Sequence, residues 1–339
     1  MAAESTADDR PDAEDRFVFF GGKGGVGKTT VSSAYATRCA AAGLDTLLVS
    51  TDPAHSTADV FGQEFGDEPR SVEGRESLWA MEIDPDAEVE AHMNRIRRSL
   101  SDQVSPAIVN EIDQQIELAH RTPGAYEAAL FDRFVDVMRS REEYDRVVFD
   151  TSPTGGTLRL LSLPELLESW IDRLVRKRAE SIDLYEKAAI GERQAPDVDE
   201  DPIVARLRER KENFEFAGRA LREDAAFFFV LNPDALSIRE TERAIADLAE
   251  HELGVRGVVV NRLTPAPDDH EDGRGARYLR ARRETERERL ATIRSTFEAP
   301  VVATIESRIE EVRGEHLDAV AEALDVEAAS AASSDARSG

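Results

Sequence analysis

The sequence predicts an α/β fold: a mostly parallel β-sheet covered by helices on both faces, with a helical subdomain inserted into it. Three observations lead there. Short, nearly all-apolar runs bounded by turn residues alternate with helical patterns, as strands buried on both faces require. A glycine-rich loop separates the first such run from the first helical pattern, the strand–loop–helix order of a phosphate site. Two long intervals, about 84–143 and 164–223, carry no strand pattern and read as helices alone.

The strand candidates are Phe17–Phe20, Thr46–Ser50, Leu78–Ile83, Arg146–Asp150, Ala226–Leu231, Val255–Asn261 and Val301–Ala303. In the first helical interval Ile108, Ile112, Ile116 and Ala119 recur at helical spacing. In the second, Leu166, Leu167, Trp170, Ile171, Leu174 and Val175 form one apolar face, and Val204, Leu207, Phe214, Ala217 and Leu221 another. Segment 191–202, GERQAPDVDEDP, reads as a loop between them. These faces either bury against one another or line an exposed groove for a client, and both readings stay open. The Glu- and Arg-rich stretch 279–297 reads as a solvated helix with i,i+4 pairs. Residues 1–15 and 326–339 are polar or small and are expected to be disordered, which leaves one domain at 16–325.

Composition narrows the function classes. The 339 residues carry 69 acidic and 43 basic side chains, a net charge of -26, and only five of the basic residues are lysine. An acid-rich, lysine-poor surface stays solvated by self-repulsion, a device of halophilic proteins. Nucleic-acid binding is not expected, because no basic cluster is present to displace counterions. The single cysteine, Cys39, allows no internal disulfide. The acidic opening MAAESTADDRPDAEDR lacks the features of a signal peptide, and no apolar run approaches the roughly 20 residues of a membrane span. A soluble, cytoplasmic protein is expected.

GKGGVGKT, Gly22–Thr29, fits G-x-x-x-x-G-K-[ST], so the fold class sharpens to that of a P-loop NTPase. Backbone N–H groups of Gly22, Gly24, Gly25, Val26 and Gly27, and of the turn that runs through Thr30, would cradle phosphates at the positive end of a helix. Lys28 would reach the β- and γ-phosphates, and the Thr29 hydroxyl would complete a Mg²⁺ shell. RVVFD ends a strand in Asp150, a carboxylate near that metal, and Thr151–Gly156 is small and turn-prone, as a γ-phosphate sensor must be. LLVSTD offers Asp52 at the same sheet edge, either to orient and deprotonate the attacking water, with a possible metal contact, or to cap the next helix. In VVVNRLT, Thr264 stands where guanine-specific proteins have aspartate, which favours ATP, with Asn261 able to pair with adenine.

With these residues assembled, the chain resembles the ArsA-type ATPases, which include the arsenite-pump ATPase and the ATPase that targets tail-anchored membrane proteins. The marks are the extra lysine of GKGGVGKTT, the switch I string DPAHSTADVF (Asp52–Phe61) and the switch II string DTSPTGGTLRLL (Asp150–Leu161), with weaker echoes at PGAYEA, VVNR and EVRG. The resemblance implies a homodimer in which Lys23 reaches the nucleotide of the other subunit, beside Gly24 and Gly25 at the interface. It further implies that Asp52 activates water, Asp150 stands in the outer Mg²⁺ shell and Asn261 contacts adenine. ATP binding would close the dimer and hydrolysis would open it, with a hydrophobic protein client and a membrane receptor or carrier as partners.

Departures from the family pattern concern coupling. Thr57 and Ala58 replace Leu and Ser in switch I, while Ser152 and Gly156 replace Ala and His in switch II. The C-x-x-C pair that holds zinc at some dimer interfaces is missing, so no zinc is expected. Cys39 alone cannot make a metalloid site and is expected to pack in the P-loop helix. Four methionines are few for a flexible client groove, which Ile, Leu and Phe could also line. Targeting of a hydrophobic client leads, with an anion-pump ATPase and a MinD- or ParA-like positioning ATPase as alternatives.

Overall fold

The computed structural model describes residues 15–51, 56–84, 86–91, 94, 125–140, 143–150, 172–173, 175–177, 180 and 202–324. Its strands are β1 (Phe17–Gly21), β2 (Thr46–Ser50), β3 (Arg70–Ser71), β4 (Leu78–Glu82), β5 (Arg146–Asp150), β6 (Ala225–Leu231), β7 (Val255–Leu263) and β8 (Val301–Glu306). They form one sheet in the order β3-β4-β2-β5-β1-β6-β7-β8. Every pairing is parallel except that of β3 with β4. β3 is a two-residue, solvent-exposed edge strand, too short to leave an apolar run in the sequence. Its reversed direction and brevity suit a sheet edge.

Side-chain alternation along β1 explains the two-sided cover. Phe17 and Phe19 enter one apolar cluster, whereas Val18 and Phe20 enter the other. On the first face Phe19 stacks on Phe149 of β5 at 4.6 Å and on Phe227 of β6 at 5.1 Å. Parallel register sets these three rings directly beside one another. Each ring buried this way contributes about 1.5–3 kcal/mol relative to exposure, so the central strands tolerate no polar face.

Helices α1 (Lys28–Ala41) and α7 (Glu315–Glu322) cover the Val18/Phe20 face. The opposite face is covered by α3 (Ala125–Ser140), α4 (Pro202–Glu223), α5 (Ala235–Ala249) and α6 (Arg274–Thr296). The short α2 (Ser56–Phe61) packs Val60 into the Val18/Phe20 cluster beside α1. Phe131 of α3 stacks on Phe214 of α4 at 4.9 Å, and Phe134 sets its ring against Phe149 of the sheet at 5.2 Å. The described helices of the two strandless intervals thus pack on each other and on the sheet. Most of the rest of both intervals, including most of the stretches that would form a client groove, lies outside the described residues, as do 1–14 and 325–339. Among the described residues no helix is long and apolar enough to cross a membrane.

Candidate functional site

Parallel sheets bind ligands in the crevice beyond the carboxyl ends of their strands. Here β1 runs there into Gly22–Gly27, and two glycines explain the path. Gly22 has φ 145°, and a Cβ on it would lie 2.3 Å from the Val230 carbonyl oxygen of β6. Gly27 has φ 91°, and its Cβ would lie 2.4 Å from the Asn261 amide nitrogen. Gly27 is also the N-cap of α1, so no side chain caps that helix. The N–H groups of its first turn are therefore left to a ligand, at the positive end of the helix dipole.

A cavity of ≈ 460 Å³ opens over this turn, lined by Gly24, Gly25 and Gly27 to Thr30, by Ser56, Asp59 and Val60 of α2, by Asp150, and by Arg262 and Glu311–Arg313. Lys28 is buried and curls its ammonium back toward the Lys23 carbonyl at 3.4 Å. Asp150 is 1% exposed and accepts a bond from the Ser50 hydroxyl at 3.5 Å. β2 and β5 are in register there, Ser50 beside Asp150, so both strands end at the same level. Asp52, two residues further, lies outside the described residues, as do His55 and Thr151–Leu161. A buried carboxylate, a hydroxyl on the next helix, a buried ammonium and an uncapped helix start are the donor set a magnesium triphosphate needs. Thr29 and Asp150 would hold the metal, which would neutralise charge building on the phosphate oxygens.

Lys23 and Lys28 take different places. Lys28 lines the cavity, whereas Lys23 does not, although the adjacent Gly24 does. Its ammonium lies 3.6 Å from a carboxylate oxygen of Glu240 on α5, both side chains being more than a third exposed. Neighbouring Gly24 and Gly25 are also exposed.

Asn261 joins the end of β7 to the glycine-rich loop. Its amide nitrogen donates to the Val26 carbonyl at 2.8 Å, and its amide oxygen accepts the Arg262 N–H at 2.8 Å. Arg262, with φ 59°, turns left-handed and lines the cavity. Thr264 then donates both its N–H and its hydroxyl to Glu286 of α6 at 2.7 Å. Burial alone would raise the Glu286 pKa, but the Thr264 bonds and the Arg282 guanidinium outweigh it and hold it below the usual carboxylate range.

Sequence reasoning passed over Glu240 and Glu286, and marked Arg313 only as part of EVRG, with no role. Glu286 sits in a stretch read as wholly solvated, and composition there gives no signal that one glutamate turns inward. Arg313 of EVRG meets Glu311 at 2.9 Å and approaches Asp59 of α2 at 3.9 Å across the cavity mouth. Cys39 is fully buried in α1, and burial raises its thiol pKa. The neighbouring Tyr35 hydroxyl, also raised by burial, accepts a 2.7 Å bond from Arg146.

The family model described as anion-transporting ATPase, ArsA, matches residues 15–325. This chain belongs to the ArsA-type ATPases. ArsA-type proteins with curated names match along most of it. A protein provisionally named arsenical pump-driving ATPase 2 from Aquifex aeolicus is 32% identical over 88% of this chain and 95% of its own length. "ATPase get3" of Aspergillus terreus is 33% identical over 88% of this chain and 87% of that protein. "ATPase ASNA1 homolog 1" of Paramecium tetraurelia is 33% identical over 75% of this chain and 76% of that protein. As an ArsA-type ATPase, the chain is an ATP hydrolase.

Proposed function

We propose that this ATPase is a Mg²⁺-dependent homodimer whose closing on ATP and opening on hydrolysis drive the binding or targeting of a hydrophobic protein client, with tail-anchored membrane proteins as the client class. The carrying observation is the separation of the two P-loop lysines. Lys28 is buried and lines the chain's own cavity, while Lys23 lies outside that wall, half-buried between glycines and 3.6 Å from Glu240. An exposed pair of that kind is worth at most about 1 kcal/mol, so Lys23 can exchange Glu240 for the phosphates of a second copy. In this reading Lys28 and Lys23 stabilise the transferring phosphate from two subunits, Asp52 activates water, and Thr29 and Asp150 serve Mg²⁺. The acid-rich composition supports work in the cytoplasm of a halophile.

Sedimentation in molar KCl tests the dimer. ATP should shift the wild-type chain to twice its mass, and Lys23→Ala should not follow although it still binds ATP. A Lys23→Ala protein that dimerises and hydrolyses normally overturns the cross-subunit role. For the client, Asp52→Asn with ATP should keep a purified protein bearing one C-terminal apolar helix in solution. Aggregation of that protein regardless of nucleotide counts against targeting. The family description and the Aquifex name favour a second reading, an anion-pump ATPase. Buried Cys39 offers no thiol site for it, so stimulation of hydrolysis by an oxyanion would be its signature.

A further inference from the structure

We infer that Glu82 is a positioning residue for the nucleotide site: from the edge hairpin of β3 and β4, its carboxylate sets where the α2 wall of the cavity stands. α2 brings Ser56, Asp59 and Val60 to that wall. Its six residues are too few to hold a helix without tertiary support. That support comes from β4. Glu82 is 5% exposed, and its carboxylate accepts the Ala58 N–H at 3.1 Å. This N–H belongs to the first turn of α2, where the helix itself offers no acceptor. The Glu82 backbone N–H meanwhile donates to the Gly66 carbonyl at 2.8 Å. One residue therefore holds the chain in the first turn of α2 and again in the loop that follows it.

Between those two points the same hairpin carries the segment. Gly62, with φ 67°, ends α2. The Gln63 amide then bridges the hairpin: its nitrogen donates to the Ser71 carbonyl at 2.9 Å and its oxygen accepts the Glu73 N–H at 2.8 Å. Arg75, in the turn between β3 and β4, sets its guanidinium 6.0 Å from the centroid of the Phe61 ring, the last residue of α2. Sheet register puts Glu82 beside Ser50 of β2, and Ser50 beside Asp150 of β5. The anchor of α2 thus stands level with the carboxylate that lines the cavity. Without it, α2 would be ordered by the ligand rather than before the ligand arrives. Binding would then carry the cost of that ordering, and affinity would fall with the fraction of molecules whose wall is in place. At saturating ATP the wall is ordered again, so turnover is spared.

This inference rests on reading the P-loop cavity as the nucleotide site and is independent of dimerisation and client. Two conservative variants separate reach from charge in the full-length chain. Glu82→Asp keeps the charge but draws the carboxylate back by one methylene, whereas Glu82→Gln keeps the reach and an acceptor oxygen. Glu82→Asp and Glu82→Ala should each weaken Mg-ATP binding about tenfold, with kcat at saturating ATP within about threefold of wild type. Glu82→Gln should hold both quantities within about threefold. Amide hydrogen exchange without nucleotide reads the anchor apart from the site. Exchange across α2 should speed up in Glu82→Asp and Glu82→Ala, stay near wild type in Glu82→Gln, and slow again when Mg-ATP saturates. Weaker binding in Glu82→Gln than in Glu82→Asp would overturn the inference, because charge and not a placed acceptor would then matter. Faster exchange at α2 with undiminished Mg-ATP affinity would overturn it as well; Lys28→Ala, titrated in parallel, shows whether the reading of the site has failed instead.

Discussion

The two walls of the nucleotide cavity are built in different ways. The wall proposed for the phosphates comes from one stretch, Gly24–Thr30, whose shape follows from glycine backbone conformations and the start of a single helix. The opposite wall comes from separate segments: Arg262 after β7, Glu311–Arg313 after β8, and Asp59 on α2. Its geometry is held by side chains reaching between elements, Asn261 to Val26 and Glu286 to Thr264. A local wall depends on which residues follow one another, whereas an assembled wall depends on sheet order and helix placement. Damage to the first should remove chemistry, and damage to the second should shift position and affinity.

The largest contrast is expected at Lys28. Lys28→Ala should cut ATP hydrolysis on the order of 10²-fold or more with an unchanged circular dichroism spectrum, since it removes a preorganised charge from the phosphates. Hydrolysis within a few-fold of wild type would break the assignment of the phosphate wall. Gly27→Ala strikes the seam between the walls. It forces a side chain onto φ 91° and against Asn261, so urea unfolding should report a loss of about 3 kcal/mol. Combining it with Asn261→Ala should recover the steric part of that loss, leaving the backbone strain.

At Glu286 the assembled wall can be loosened from behind. Glu286→Ala leaves the buried Thr264 donors without their acceptor and should cost about 2 kcal/mol in urea unfolding. Because the folded pKa of Glu286 is lowered, its contribution is complete above the unfolded value, about 4.3. It is lost as pH falls through the lower folded value. The gap between wild type and Glu286→Ala should therefore shrink below about pH 4.3; a gap that stays constant in acid would mean the carboxylate charge has no part in holding Thr264. The smallest effect is expected at Thr57 in α2. This hydroxyl is fully buried with no hydrogen-bond partner among the described residues. Thr57→Val should stabilise the fold by about 1 kcal/mol, read as a higher denaturant midpoint at constant slope.

Legibility in the sequence followed the same division. The strands of the sheet read as apolar runs because both faces are covered, and Phe17–Phe20 showed this most plainly. β3 did not, since two exposed residues at an edge carry no hydrophobic pattern. Lys28, Thr29 and Asp150 were visible as motif members and do meet at one cavity. Asn261 was visible too, but its bond to Val26 was not: a sequence shows an amide at the end of a strand without showing which neighbour it meets. Glu286 was hidden among glutamates and arginines because only one turn of α6 faces Thr264.

By itself, then, the sequence determined the α/β class, the phosphate loop and the carboxylate beside it, because each depends on short-range patterns of apolarity, glycine and charge. Tertiary structure alone decided that the Asn261 amide bonds Val26, that Lys23 pairs with Glu240, and that Arg262 lines the cavity. Those outcomes turn on distances such as 2.8 and 3.6 Å between segments far apart in the chain. No local pattern encodes such distances; the order and register of the strands do.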